Sequence, residues 1–337
     1  MNNALKYSSG TFILVLDADQ VVDPDIAGKL LGHFTDNPDL AVITTKQQFD
    51  VPAEDFNRQK MFYDHMQPGK NADNAAFSCG SGVFYRRSAL KTISGFQTWN
   101  VVEDVYTTYI LHQRGYRSLY INKGYSRGLA PLDLPTIYKQ RGTWALDTLR
   151  LFFRRNPFFV KGLTFKQRLH YFETCWAYLF PALAIPVLFS IMPLSIISEK
   201  DVVYPSIWYP LLRFPSLLLT LIFFYRQSGN RWIEIQFWIS LFPVYLYALL
   251  LALLPVTPRY KVTAKLPRIK KVNLVQILPH LAFIFINLAS LYWHIFVLEY
   301  GLNNMAVVTI IWIAFMLFWF APLLRKAINL KNEETQT

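Results

Sequence analysis

The chain has 337 residues, with 34 Lys+Arg against 22 Asp+Glu for a formal charge of +12 at pH 7; 53% are hydrophobic, 16% aromatic and 17% charged. A soluble domain carries about 25% charged residues, and here the shortfall is concentrated in uncharged runs at 174–198, 235–258, 272–298 and 300–324. Each run exceeds the roughly 20 apolar residues that take a helix across a bilayer, which excludes a wholly soluble globule, a disordered tail and a disulfide-built secreted scaffold. The two cysteines, Cys79 and Cys175, stand in unlike contexts and offer neither a disulfide framework nor a CxxC metal site. Met1–Gly10 is polar and lacks the apolar segment of a signal peptide, so the expectation is a cytosolic first half.

Residues 1–150 read as α/β. Thr11–Leu16 (TFILVL) is a continuous apolar run of strand length, as in a strand buried on both faces, and it ends in Asp17-Ala18-Asp19. A proline turn at Asp23-Pro24-Asp25 leads into a helical pattern from Ile26 to Phe34. Leu40–Thr44, Val83–Arg86 and Ser118–Ile121 follow as strands, the last after a helix around Tyr106–Arg114. Alternating strands and helices predict a mostly parallel sheet. Residues 151–173 interleave Arg and Lys with Phe and Leu, a composition suited to the headgroup region of a membrane or to an amphipathic surface helix.

The second half holds hydrophobic runs at 174–198, 202–225 (broken by Arg213), 235–258, 272–298 and 300–324. Between the third and fourth runs, Arg259–Lys271 carries six positive charges in thirteen residues, and the positive-inside rule places such a loop in the cytosol. An even number of crossings must then separate it from the first half, so 235–258 is expected to lie in the membrane plane. Glu199-Lys200-Asp201 and Glu299 then face outward and Arg325-Lys326 inward, leaving 326–337 as a cytosolic tail.

Asp17 and Asp19 sit at the end of a buried strand, where ligands bind in open α/β sheets. Two carboxylates two residues apart on an extended chain point the same way and suit a hard cation shared with substrate phosphates; a solvated turn is the plain alternative. Ala76–Arg87 (AFSCGSGVFYRR) is a small-residue loop entering a strand, with glycines that let backbone approach a ligand. Val101-Val102-Glu103-Asp104 places two acids after an apolar pair, and Gln140-Arg141-Gly142-Thr143-Trp144 sets an aromatic beside hydrogen-bonding side chains. Read singly, Asp104 fits a helix N-cap, Cys79 a buried small residue and Trp144 a core aromatic.

Read in order, these motifs, the hydrophobic helices and Tyr260-Lys261-Val262-Thr263-Ala264-Lys265 resemble the processive family-2 glycosyltransferases of the cellulose synthase type, over almost the whole chain. The longer match from Glu103 through Gln113-Arg114-Gly115-Tyr116 to Gln140-Arg141 belongs to the same resemblance. It implies a partial GT-A-like α/β domain followed by an α-helical transmembrane bundle, in a multi-pass plasma-membrane protein with its catalytic domain in the cytosol. It also implies an inverting enzyme that polymerises a UDP-sugar, with UDP-glucose the first choice, into an exported β-linked polysaccharide. Asp17 and Asp19 would hold Mg²⁺ or Mn²⁺ on the diphosphate, and Asp104 would be the general base. Cys79, Gly80, Gln140 and Trp144 would line the acceptor pocket, with Glu103 and Arg141 in secondary roles. Tyr260, Val262, Thr263 and Lys265 would belong to a gating loop over the diphosphate within 259–272. The bilayer, the growing polymer and accessory export subunits are the expected partners; nucleic acid is not, because the positive excess lies beside membrane segments, where anionic lipids account for it.

Two departures stand out. The family's QxxRW has Arg where this chain has Thr143, and Arg141 lies about 200° away around a helix from that position. The chain also resembles the family only from the segment just before the DxD strand, so the expectation is a fragment lacking the first, base-binding strands and inactive alone. A non-processive transferase acting on a lipid carrier, or an inactive accessory subunit, are the competing readings.

Overall fold

The computed structural model describes residues 1–52, 55–131, 133–199, 208–255 and 274–328. Five strands form one sheet: β1 (Phe12–Val15), β2 (Val21–Val22), β3 (Leu40–Phe49), β4 (Val83–Arg86) and β5 (Arg117–Gly128), in the order β1-β4-β3-β5-β2. Short helices α1 (Asn2–Lys6), α2 (Ile26–Leu30), α3 (Gly32–Asp36), α4 (Gln67–Ala72) and α5 (Arg87–Thr92) precede α6 (Glu103–Gln113). Long helices follow: α7 (Leu134–Arg154), α8 (Phe165–Ser198), α9 (Trp208–Gln227), α10 (Ile233–Ser240), α11 (Phe242–Leu253), α12 (Leu274–Tyr292) and α13 (Asn304–Ile328).

The α/β class expected from the sequence is present, but its mostly parallel sheet is corrected to a mixed one. Only β3 and β5 run parallel; β1–β4, β3–β4 and β2–β5 are antiparallel among the described residues. An apolar strand covered on both faces has the same composition whichever way it runs, so its direction is not written in its hydropathy. The β1 strand, expected to be wholly buried, is half-buried at one end of the strand order. The helix expected over Ile26–Phe34 is two short helices meeting at Leu31.

Side chains alternate across the sheet as strand geometry requires. Val42, Val83 and Tyr85 face a core with Ala89 and Leu90 of α5, Leu111 of α6 and Phe96 between those helices. Ile43 and Phe84 face the opposite side, with Ile26, Leu30 and Phe34 from α2 and α3. Two facing cores pin the sheet, and the C-terminal ends of β1 and β3 are carried to one rim.

The helix α7 joins this domain to the bundle. Leu134, Ile137, Ala145 and Leu149 pack with Cys175 of α8 and with Tyr245 and Leu249 of α11. The N-terminus of α8 is closed by a capping box, Thr164 with Gln167, which satisfies two otherwise orphaned amides. Lys70 of α4, wholly buried, bonds Glu173 at 2.7 Å and the His170 carbonyl at 2.9 Å, while Asp73 bonds Lys166 at 2.6 Å. Segment 151–173 is thus divided among the end of α7, a turn and the start of α8.

Among the described residues, three helical segments are long and apolar enough to cross a membrane: Phe165–Ser198, Leu274–Val297 and Asn304–Ile328. The pair α10–α11 passes the same test only when taken together, and it bends by 46° at Leu241. Val187, Phe285 and Ile311 are 62–70% exposed on these helices, as side chains facing lipid would be.

Candidate active site

Strand β1 delivers the chain into the DxD segment. The segment is a turn, not the extended run assumed from the sequence: the Asp17 carbonyl accepts the Gln20 amide at 3.0 Å. The Asp17 amide donates to Ser81 Oγ at 3.0 Å, and Asp19 Oδ2 accepts the Leu129 amide at 3.0 Å. The turn is thus anchored to two other loops, and the strand periodicity from which a common direction of the two carboxylates was expected does not hold there.

Loop 76–82 lies beside it. The Gln47 side chain of β3 donates to the Cys79 carbonyl at 2.6 Å, Gln67 Nε2 donates to Cys79 Sγ at 3.1 Å, and Ser78 N donates to Thr108 Oγ1 at 3.1 Å. Gly80 and Gly82 have φ of +87° and +67°, a region that side-chain-bearing residues rarely adopt. Space reinforces that demand: a Cβ on Gly82 would fall 2.8 Å from Ser126 Oγ.

Asp104 lies in the first turn of α6, beside Gly80. Burial, the neighbouring Glu103 and the charge of Asp17 push its carboxyl up to about 7, against the opposing Val105 amide, which donates to Oδ1 at 2.6 Å. Desolvation disfavours the charged form, and like charges add to the effect. Burial and the charge of Asp104 push the Cys79 thiol up to about 12, so Cys79 stays a neutral lining group. Asp17, Cys79, Gly80, Glu103 and Asp104 thus converge.

Trp144 and Gln140 stand one turn apart on α7, sharing a face. Arg141 also shares the Trp144 face. Its guanidinium lies 4.6 Å over the indole and 6.0 Å from the Phe56 ring, and it donates to Gln59 Oε1 at 3.0 Å. Thr143 Oγ1 donates back to the Lys139 carbonyl at 2.8 Å, toward its own helix. Burial raises the Tyr63 hydroxyl well above its ordinary value, with Asp104 adding to the shift and Arg141 opposing it. Tyr260, Val262, Thr263 and Lys265 lie outside the described residues.

Asp147 was not singled out by the sequence. Its two carboxylate oxygens accept the amides of Val101 (2.8 Å) and Val102 (3.1 Å), directly ahead of Glu103-Asp104. The available signal was an acid inside the otherwise apolar helical stretch after Trp144. Tyr63, whose hydroxyl donates to Gln47 Oε1 at 3.1 Å, was missed too; its partner lies sixteen residues away on β3, so no local motif marks it.

The family described as glycosyl transferase family group 2 matches residues 12–254. Cellulose synthase 1 of Komagataeibacter xylinus is 31% identical over 207 residues, covering 58% of this chain and 13% of that protein. The UDP-forming cellulose synthase catalytic subunit of Pseudomonas fluorescens is 34% identical over 181 residues, covering 51% of this chain and 24% of its own length. A solved structure, the mannosyltransferase PcManGT from Pyrobaculum calidifontis in complex with GDP-Man and Mn²⁺, aligns with a TM-score of 0.49 at 16% identity, over 74% of this chain and 64% of that one. The chain spans 13% to 27% of the length of the first curated relatives it matches. With more than half of its residues inside the matched family and cellulose synthases among its relatives, the chain belongs to the family-2 glycosyltransferases of the cellulose synthase type.

Proposed function

We propose that this chain forms the catalytic rim and membrane bundle of an inverting synthase that extends a β-linked polysaccharide from a UDP-sugar, UDP-glucose by resemblance, and exports the product. One observation carries the reading: the half-buried Asp104 carboxylate stands at the site rim with Oδ2 3.1 Å from where a Cβ on Gly80 would lie, and its surroundings push its pKa up to about 7. A general base works best when its pKa lies near the working pH. Asp104 would take the proton from the acceptor hydroxyl as that oxygen attacks the anomeric carbon; the bond from that carbon to the diphosphate breaks, and its electron pair leaves with UDP.

Asp17 and Asp19 fit a divalent cation. Both are carboxylates at one turn, and the charge of Asp17 is felt at Asp104. Among the described residues no group of three His, Cys, Asp or Glu side chains could hold an ion; Asp17 and Asp19 would supply two ligands to Mg²⁺ or Mn²⁺, with substrate phosphates and water completing the shell. Such an ion would neutralise charge on the departing diphosphate. Trp144 would present the indole face not covered by Arg141 to a sugar ring, with Gln140 offering a hydrogen bond. Tyr260, Val262, Thr263 and Lys265 are assigned the lid over the diphosphate.

The α10–α11 pair, bent by 46°, is assigned to the membrane plane because the basic loop Arg259–Lys271 and the catalytic domain then share the cytosolic side. Membranes carrying the protein in its full-length form should convert UDP-glucose to polymer with Mg²⁺ or Mn²⁺ and lose that activity with EDTA. A lipid-linked single sugar as the only product would replace the processive reading; no transfer from any nucleotide sugar would remove the enzymatic one.

A further inference from the structure

Asp147 lies on α7, one turn beyond Trp144 and on the same face, and it is 4% exposed. Its carboxylate receives the successive amides of Val101 and Val102, its own backbone carbonyl accepts Asn100 Nδ2 at 2.8 Å, and Arg150 Nε donates to Asn100 Oδ1 at 3.2 Å. Val102 is the residue at which the chain turns from extended backbone into α6. Three consecutive residues of the approach to Glu103-Asp104 are therefore held by one residue of the helix that carries the aromatic platform.

We infer that Asp147 is a positioning residue for sugar transfer: its buried carboxylate locks the Asn100–Val102 loop to α7 and so fixes Asp104 relative to Trp144. This rests on the role of Asp104 proposed above. Burying a carboxylate is expensive unless it is hydrogen-bonded, and burial together with the charge of Asp104 pushes the Asp147 carboxyl up. The two amides oppose that shift and hold both oxygens as acceptors. A carboxylate is the side chain that accepts at two oxygens at once and donates at neither. An isosteric amide at this position would turn an N–H toward a backbone N–H. Because Asp104 lies two residues beyond the tethered pair, the resulting movement falls on the base and not on the diphosphate side of the site.

The test compares Asp147→Asn and Asp147→Ser with the wild type in the same membranes, by two readouts. Hydrogen exchange at Val101 and Val102 should accelerate in both variants. In sugar transfer, kcat should fall roughly 10–100-fold, the scale of a displaced catalytic group, while KM for the UDP-sugar stays within about twofold. Unchanged exchange in both variants would overturn the anchor whatever the activity does. Faster exchange with unchanged kcat, or a loss seen mainly in KM, would overturn the positioning role. A wild type inert toward every nucleotide sugar would instead remove the functional reading of the site, with exchange still deciding the anchor.

Discussion

A Cβ placed on Gly80 would lie 3.1 Å from Asp104 Oδ2, closer than side-chain carbons normally approach. The glycine at φ +87° thus brings backbone against the half-buried carboxylate, and the two positions depend on each other through contact as well as through chemistry.

Gly80→Ala is therefore expected to combine two penalties, the left-handed φ at about 1 kcal/mol or more and displacement of the Asp104 carboxylate. Gly115 has φ +82° with nothing within 4 Å of a built Cβ, so Gly115→Ala reports the backbone penalty alone. Thermal unfolding should show Gly115→Ala losing about 1 kcal/mol with transfer retained, and Gly80→Ala losing more stability and most transfer activity. Equal activity in the two variants would contradict the contact argument.

For Asp104 the sign of the pH dependence follows from its raised value of about 7 against an ordinary 3.8. Between those limits the folded protein keeps a proton that the unfolded chain has released, so this group's contribution to stability falls as pH rises and is lowest above 7. Asp104→Asn should raise the unfolding midpoint at pH 8 in metal-free buffer, and the gain should vanish near pH 4. The same variant should lower kcat by roughly 10²–10⁴-fold, with wild-type kcat/KM showing an acidic limb near neutrality. A variant no more stable at pH 8 than the wild type would show that the carboxylate is not under strain.

His112, on the same helix, faces the Tyr171 hydroxyl and Ser118 Oγ, each at 2.9 Å. Burial pushes the imidazole down to about 3 from an ordinary 6.5. The unfolded chain takes up a proton through this window that the folded chain refuses, so stability is lost as pH falls from 6.5 toward 3. His112→Asn should flatten that acid limb while costing about 1–3 kcal/mol at pH 7 from unpaired buried groups. Unfolding midpoints measured between pH 4 and pH 8 check both parts.

The contact between Lys70 and Glu173 joins the sheet domain to the first long membrane helix, with the ammonium buried and the carboxylate 48% exposed. Glu173→Gln should destabilise by about 1–3 kcal/mol, less than for a wholly buried pair because water reaches the carboxylate. Lys70→Met should recover part of the loss when added to Glu173→Gln, since it removes the stranded charge. Additive effects in the double-mutant cycle would show that the pair does not couple the two parts.

Much of the site is written locally. The strand Val83–Arg86 is found where the apolar run places it, and Asp17 and Asp19 do follow a strand end. The strands β3 and β5 run beyond their apolar portions, through Lys46-Gln47-Gln48 and Asn122-Lys123-Gly124. Gln47 explains why polar residues stay in a strand there: its amide is consumed by the Cys79 carbonyl and the Tyr63 hydroxyl. Those partners are invisible to a hydropathy pattern. Arg141 shows the same limit, since helical spacing correctly removes it from the Thr143 position yet does not reveal that its guanidinium lies over Trp144.

By itself the chain of residues determined the division into a polar α/β half and an apolar helical half, the order of the acidic and aromatic motifs, and the family they belong to. Those properties depend on local composition and spacing, which burial and helix or strand periodicity read directly. Only the tertiary structure decided strand direction, the burial that lifts Asp104, its contact with Gly80 and its tether through Asp147. Each of these depends on which groups exclude water from one another across tens of residues, and that is set by packing, not by neighbourhood along the backbone.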